Sequence, residues 1–369
     1  MTNPIPVFRP PIPQAWQREL STVVESRWWG YGTRCHALER EFMRDGDGWA
    51  LATNSCTAAL HLVGRCLAGA TGGEVIVPAL TFASTAVAFH EAGLRVRIAD
   101  VNPETLMLDV KSAAACITPL TRAIVAVHLY GQKQDLQELR DLCDMHKLQL
   151  VEDCAHRLNA KTESTVADFA CFSFNAVKEA PAGEGGMLWG RHIADEEPCR
   201  AMSYLGMKVD TIQRSSSTVH KPYAYSLQGG LKLRFSDLAA AFVHACKNEL
   251  VFWREARQRI FARYDKALKH LDSTVRLLTR DKLADSFLMY VVRVSAEQRE
   301  QLRQALAASA IATSVHYPPL SEHPLFSLTE CRVAEQAAKE LITLPCYPEL
   351  TVADQDRVIA AFLAAIELR

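Results

Sequence analysis

Short apolar runs that alternate with helical stretches constrain this chain more than any other feature. Runs at residues 96–98, 123–127 and 148–151 are separated by helical spacing near 111–117 and 133–146. Two earlier runs, 49–53 and 74–78, each lead into a helical stretch, the first of them over 58–67. Short strands without polar alternation are buried on both faces. Repeated strand–helix–strand units of this kind predict an α/β fold with a mostly parallel sheet covered by helices. Ligands in such sheets sit at the carboxyl ends of the strands. His128-Leu129-Tyr130-Gly131 and Glu152-Asp153-Cys154-Ala155-His156 fall there.

The 369 residues suffice for one large and one smaller domain, each with a core. Helical spacing over 14–28 and 36–43 precedes the first strand, residues 193–205 look helical, and 206–229 carry no regular pattern. A long amphipathic helix is expected over 236–270, with the domain boundary near its middle, giving units 1–250 and 251–369. Strands at 287–294 and 312–316 and helices at 297–308, 332–341 and 353–366 predict a small α/β domain at the C-terminal end.

Composition narrows the function. Lys and Arg (41) almost balance Asp and Glu (42), with no basic block, which argues against nucleic acid as partner. No apolar run reaches the length of a membrane span. The segment MTNPIPVFRPPIP lacks the charged start and apolar core of a signal peptide, so a cytoplasmic protein is expected. The 11 cysteines form no CxxC pair and no zinc-type cluster with histidine; they read as small buried hydrophobes in a reducing compartment, and no metal is predicted. HExxH, GxGxxG and GxxxxGK[ST] motifs are absent.

Residues 171–187, CFSFNAVKEAPAGEGGM, run from a buried strand into a glycine-rich turn holding Lys178. Loops at strand ends carry reactive groups on a rigid scaffold, and a lysine there can condense with carbonyls once its pKa is lowered; a surface lysine is the ordinary alternative. Asn54-Ser55-Cys56-Thr57 join a strand to a helix, so the turn is either an anion site at a helix N-terminus or a plain N-cap. Asp153 ends the run LQLVE, as a catalytic acid or a capping carboxylate. Phe82 after the second strand is a ring-stacking surface or a core aromatic.

SFNAVKEAPAGEGG resembles the lysine motif of the DegT/StrS-type sugar aminotransferases, which are fold-type I enzymes dependent on pyridoxal 5'-phosphate. The resemblance covers nearly the whole chain, through RWWGYGTRCHALEREF, TNSCTAALHL, VEDCAHRLNA, GLKLRFSDL, SVHYPPL and ITLPCYPELTVADQDRVI. It implies that Lys178 carries the cofactor as a Schiff base and moves the proton in catalysis, while Asp153 pairs with the pyridinium nitrogen. Phe82 would stack on the ring, and Ser55, Cys56, Thr57 and Ser173 would hold the phosphate. His156 stands where glutamine is usual, near the phenolic oxygen. Lys232 replaces an asparagine that reaches the phosphate of the neighbouring subunit, so a homodimer with active sites at its interface is implied. Tyr31, His316 and Tyr317 would face substrate, whereas Ser321 lies close to where many members have a second histidine. Cys56 replaces a small residue and requires a backbone that a side chain tolerates.

The implied reaction moves an amino group from glutamate or glutamine to a keto sugar, nucleotide-linked or not, or to a ketocyclitol. Natural-product or surface-polysaccharide biosynthesis is the expected setting. Two other readings carry the same fold. A sugar dehydratase would have histidine in place of Lys178, and a cofactor-binding regulatory protein would keep the site without turnover.

Overall fold

The computed structural model describes residues 3–367 apart from 44–47, 70, 159–165, 210–213, 215–222, 228, 272–273, 282 and 327–328. The segment 206–229 therefore lies partly outside the described residues. The apolar runs become β1 (Trp49–Thr53), β2 (Glu74–Pro78), β3 (Arg95–Ala99), β4 (Thr121–Val127) and β5 (Gln149–Cys154). With β6 (Phe169–Ser173) and β7 (Gly186–Gly190) they form a seven-stranded sheet of order β1-β7-β6-β5-β4-β2-β3. The pairings β2–β3, β2–β4, β4–β5 and β5–β6 are parallel, and β7 is antiparallel to β1 and β6. Every residue of β1, β2 and β7 is buried, which is why the sequence shows runs rather than alternation.

Helices α1 (Trp16–Ser26), α2 (Thr33–Phe42), α3 (Cys56–Ala68), α4 (Ser84–Glu91), α5 (Val110–Ala115), α6 (Gln137–His146) and α7 (Glu196–Met202) accompany the sheet. Leu60 and Val63 of α3, Phe89 of α4, and Val75 and Cys171 of the sheet share one core. Helix α2 begins three residues before the expected 36. The cause is distant in sequence: the Asp237 carboxylate accepts hydrogen bonds from the Arg34 and Cys35 N–H groups at 3.2 and 3.0 Å and so caps the first turn.

The single helix expected over 236–270 is two, α8 (Asp237–Cys246) and α9 (Leu250–Leu268). Between them the chain closes tight turns, Lys247 N–H to His244 O and Glu249 N–H to Cys246 O, around Asn248, a weak helix former. A second sheet of order β10-β9-β8 is antiparallel throughout, built from β8 (Val275–Leu277), β9 (Tyr290–Val294) and β10 (Leu341–Leu344). Helices α10 (Ala296–Ala308), α11 (Arg332–Glu340) and α12 (Val352–Glu367) complete this part. Ile260 and Tyr264 of α9, Val292 of β9 and Phe362 of α12 lie in its core.

One expectation for this part is corrected. No strand forms over 312–316. Ser314 makes one bridge to Thr343 and the chain then turns away, since Pro318 and Pro319 have no N–H to extend a ladder. At the N-terminal end of the described residues Ile5 packs on this second part, whereas α1 packs on α8. Ile5 N–H donates to Ala310 O, its carbonyl accepts from Ala312 N–H, and its side chain enters the core of the second sheet.

Candidate active site

Lys178 lies in the connection 174–185 between β6 and β7. The connection is folded on itself by bonds from Ala182 N–H to Phe174 O and from Ala176 N–H to Gly183 O. Its two closing glycines are required by what they touch. A Cβ on Gly185, whose φ is +157°, would sit 2.3 Å from the Phe235 ring, and one on Gly186 would sit 2.4 Å from the Ser55 carbonyl carbon. The lysine loop is thereby pressed against the start of α3. The neighbouring residue pins it on the other side: buried Glu179 accepts a hydrogen bond from Leu158 N–H and faces the Arg257 charge. Burial lowers the Lys178 amine from 10.5 to about 8, against the opposing pull of Asp153, Cys56 and Glu179.

Asp153 occupies the carboxyl end of β5 and is buried. Its Oδ1 accepts from Ala155 N–H at 3.0 Å, with the Cys56 thiol 3.9 Å away, and its Oδ2 accepts from the Thr85 hydroxyl at 2.8 Å. Thr85 in turn lies 2.8 Å from the Thr81 hydroxyl. Because the Thr85 proton is committed to Asp153, Thr81 is the donor of that second bond. Burial raises the Asp153 pKa despite these donors and the Lys178 charge. A cation set beside the carboxylate would reverse that shift. Thr85 had no role in the sequence reading, and nothing in a threonine opening an apolar helix announces one.

Ser55 is the N-cap of α3, its Oγ accepting from Ala58 N–H at 3.0 Å. The Cys56 and Thr57 N–H groups remain as first-turn donors, aimed where the helix dipole favours an anion. Cys56 is the first helical residue, so its side chain meets no backbone conflict. Ser173 Oγ accepts from Asn175 N–H at 3.3 Å. Ser55, Cys56, Thr57, Asp153, Ser173 and Lys178 all line one cleft of about 390 Å³.

Phe82, His156, His316 and Tyr317 line the same cleft. The Phe82 ring is exposed and lies 5.6 Å from that of Tyr317. His156 has a determined tautomer. Its Nδ1 accepts from Tyr130 N–H at 3.2 Å, so the proton is on Nε2, which donates to the Tyr317 hydroxyl at 3.0 Å. Burial holds the His156 pKa well below the usual histidine value, so this ring is a fixed donor rather than a titrating one. His316 is likewise lowered to about 4 by burial, and its Nδ1 lies 2.7 Å from the Thr343 hydroxyl.

Tyr31 and Lys232 do not reach this cleft within their own chain. Tyr31 is buried; its hydroxyl donates to Glu39 at 2.6 Å and accepts from Arg200 at 3.1 Å, beside a separate pocket of about 210 Å³. The Arg234 guanidinium lies 4.6 Å above its ring. Lys232 is exposed and bridges to Tyr204. Ser321 sits in the short turn Leu320–Glu322 and is not among the cleft residues. Beneath the cleft, the buried ligand-type atoms of His128, Glu152 and Cys154 lie within 4.8 Å of one another. His128 accepts from Gln134 N–H on Nδ1 and donates from Nε2 to Glu152 at 2.8 Å. These groups answer one another's hydrogen-bonding needs.

A sheet of this topology with a depressed lysine, a buried carboxylate and a helix N-terminus in one cleft defines the architecture of the fold-type I pyridoxal phosphate-dependent transferases. The chain belongs to the DegT/DnrJ/EryC1/StrS aminotransferase family, whose sequence profile matches residues 11–363. It is 30% identical to the spore coat polysaccharide biosynthesis protein SpsC of Bacillus subtilis (strain 168), over 97% of this chain and 96% of that protein. Among solved structures it resembles Spr1654 of Streptococcus pneumoniae, described as a sugar aminotransferase. The PMP form superimposes with a TM-score of 0.90 at 26% identity over 98% of this chain and 99% of the other, and a PLP form with 0.88. The aminotransferase TlmJ of Streptoalloteichus hindustanus gives a TM-score of 0.88 at 28% identity, covering 98% of each chain.

Proposed function

We propose that this protein transfers an amino group from glutamate or glutamine to a keto sugar, nucleotide-linked or free, or to a related ketocyclitol, in the cytoplasm. It uses pyridoxal 5'-phosphate. The observation that carries the reading is the convergence of the Lys178 amine, the Asp153 carboxylate and the α3 N-terminus in one cleft. These three groups match the three handles of the cofactor, its aldehyde, ring nitrogen and phosphate, so the residues present fit it. When bound, the cofactor supplies an electron sink for the carbon that loses its proton.

The protein's own groups do the rest. Lys178 would hold the cofactor through its Nζ, and the same Nζ would move a proton to and from the reacting carbon. A pKa of about 8 leaves it able to act in both directions near neutrality. Asp153 holds the charge on the ring nitrogen, oriented by Thr85 and Ala155 N–H. The Cys56 and Thr57 N–H groups and Ser173 bind the phosphate, and Phe82 covers the ring face. His316 and Tyr317 face the substrate. Lys232 and Tyr31, remote from their own cleft, serve the cleft of a second copy in a homodimer.

Holoprotein mixed with L-glutamate or L-glutamine should convert to the pyridoxamine form. A panel of nucleotide-linked keto sugars and ketocyclitols, read by mass spectrometry, should then yield one aminated product class. Failure of every amino donor to convert the cofactor overturns the reading. For the dimer, inactive Lys178→Ala and weakened Lys232→Ala proteins, mixed under subunit exchange at limiting cofactor, should regain part of the activity. With heterodimers verified by native mass spectrometry, no recovery would place Lys232 in its own subunit.

A further inference from the structure

At the far end of α3, away from the cleft, two cysteines 133 positions apart face each other. Cys66 Sγ lies 2.9 Å from Cys199 Sγ, the first on α3 and the second on α7. Both are free thiols. Their surroundings are unequal. Cys199 is fully buried, and the Cys66 contact together with burial holds its thiol well above the usual value. Cys66 is half-buried and opens onto a surface pocket of about 450 Å³. Arg122, Lys147 and His192 stand around that pocket, with Asp195 as the acidic group lining it. A reachable thiol on a pocket lined by Arg122 and Lys147, backed by a buried thiol at contact distance, is the arrangement of an attacking and a resolving cysteine.

We propose that Cys66 and Cys199 form a thiol–disulfide exchange site that takes a small anionic disulfide of the glutathione class. The Cys66 thiol gives its proton to solvent, and its sulfur attacks one sulfur of the bound disulfide. The S–S bond of the small molecule breaks, one half leaves as a thiol after taking a proton, and the other half remains joined to Cys66. Cys199 then gives up its proton and attacks Cys66 Sγ, expelling the second half as a thiol. Two protein thiols lose two electrons and one small disulfide becomes two small thiols. The protein sulfurs close only from 2.9 Å to a bond length of about 2.05 Å. Arg122 and Lys147 attract the carboxylates of the incoming molecule. The product is a cross-link between the helix that heads the active-site cleft and α7, reversible by excess thiol, as suits a protein with no disulfide among its described residues.

The test is to incubate the holoprotein with oxidised glutathione at neutral pH, quench in acid, alkylate under denaturing conditions and map the peptides. The expected result is a peptide pair joined through Cys66 and Cys199, a thiol count lower by two, and full reversal by dithiothreitol. Cys199→Ser should stop the reaction at a glutathione adduct on Cys66, whereas Cys66→Ser should leave Cys199 unmodified. Wild-type protein with no Cys66–Cys199 link, or with links only between other cysteines, overturns the proposal, and this arm needs no variant to fold. An adduct on Cys199 in the Cys66→Ser protein overturns the assignment of Cys66 as the attacking thiol.

Discussion

The two ends of α3 are built for opposite purposes. Its N-terminus, at Ser55, Cys56 and Thr57, presents unpaired N–H groups to a cleft whose other walls come from the carboxyl ends of β5 and β6. Its last turns, roughly 15 Å away along the axis, carry Cys66 against Cys199, beside the amino ends of β4, β5 and β6. At the first end burial tunes polar groups that hydrogen bonds hold in place. Lys178 is lowered and Asp153 raised, each by loss of water. At the second end a thiol stays reachable. One helix therefore couples a site dominated by desolvation to one governed by access.

Lys178→Ala should separate the two ends most sharply. Amino transfer should fall by about a thousandfold or more in single-turnover assays, because the proposed cofactor tether and proton carrier would both be lost. Borohydride should then fix no cofactor, whereas in the wild type the reduced adduct should map to Lys178. Oxidised glutathione should still link Cys66 to Cys199. A reduced adduct on another lysine would undo the description of the cleft.

Asp153→Asn should bind the cofactor yet lose about 100-fold in the half-reaction with glutamate or glutamine, since an amide cannot hold a cationic ring nitrogen. Rates near those of the wild type would remove Asp153 from its assigned role. Thr85→Val should cost about tenfold, the worth of one hydrogen bond to a charged group, with Thr85→Ser restoring most of it. No loss in Thr85→Val together with a loss in Thr85→Ser would mean that the methyl packing of Thr85, and not its hydroxyl, supports the carboxylate.

The smallest effect is one of pH. The folded apoprotein holds the Lys178 proton less tightly than an unfolded chain, about 8 against an ordinary 10.5. This group is therefore unfavourable to folding below pH 8, and the penalty fades as pH rises from 8 to 10.5. Capture of pyridoxal phosphate by the apoprotein, followed by absorbance, should rise with pH up to about 8 and level off above it. A rise continuing to pH 10 would show an unshifted amine.

The sequence alone carried β1 to β6 of the large sheet, though not β7, because burial on both faces demands unbroken apolar runs. Residues 49–53 and 74–78 are strands with the expected bounds. The place of the lysine loop after β6 and of Asp153 at the end of β5 was legible too, since both stand in contiguous motifs. What only the tertiary structure decided are contacts between residues far apart in the chain. Asp237 caps α2 from about 200 positions away, and Thr85 reaches Asp153 across 68. The His156 tautomer follows from Tyr130 N–H on one side and Tyr317 on the other. Tyr31 pairs with Glu39 and Arg200 instead of entering its own cleft, and Cys66 meets Cys199. Periodicity reports which face of an element is buried. It cannot report which polar group on another element arrives to satisfy it, because that partner is chosen by how the sheet and helices pack.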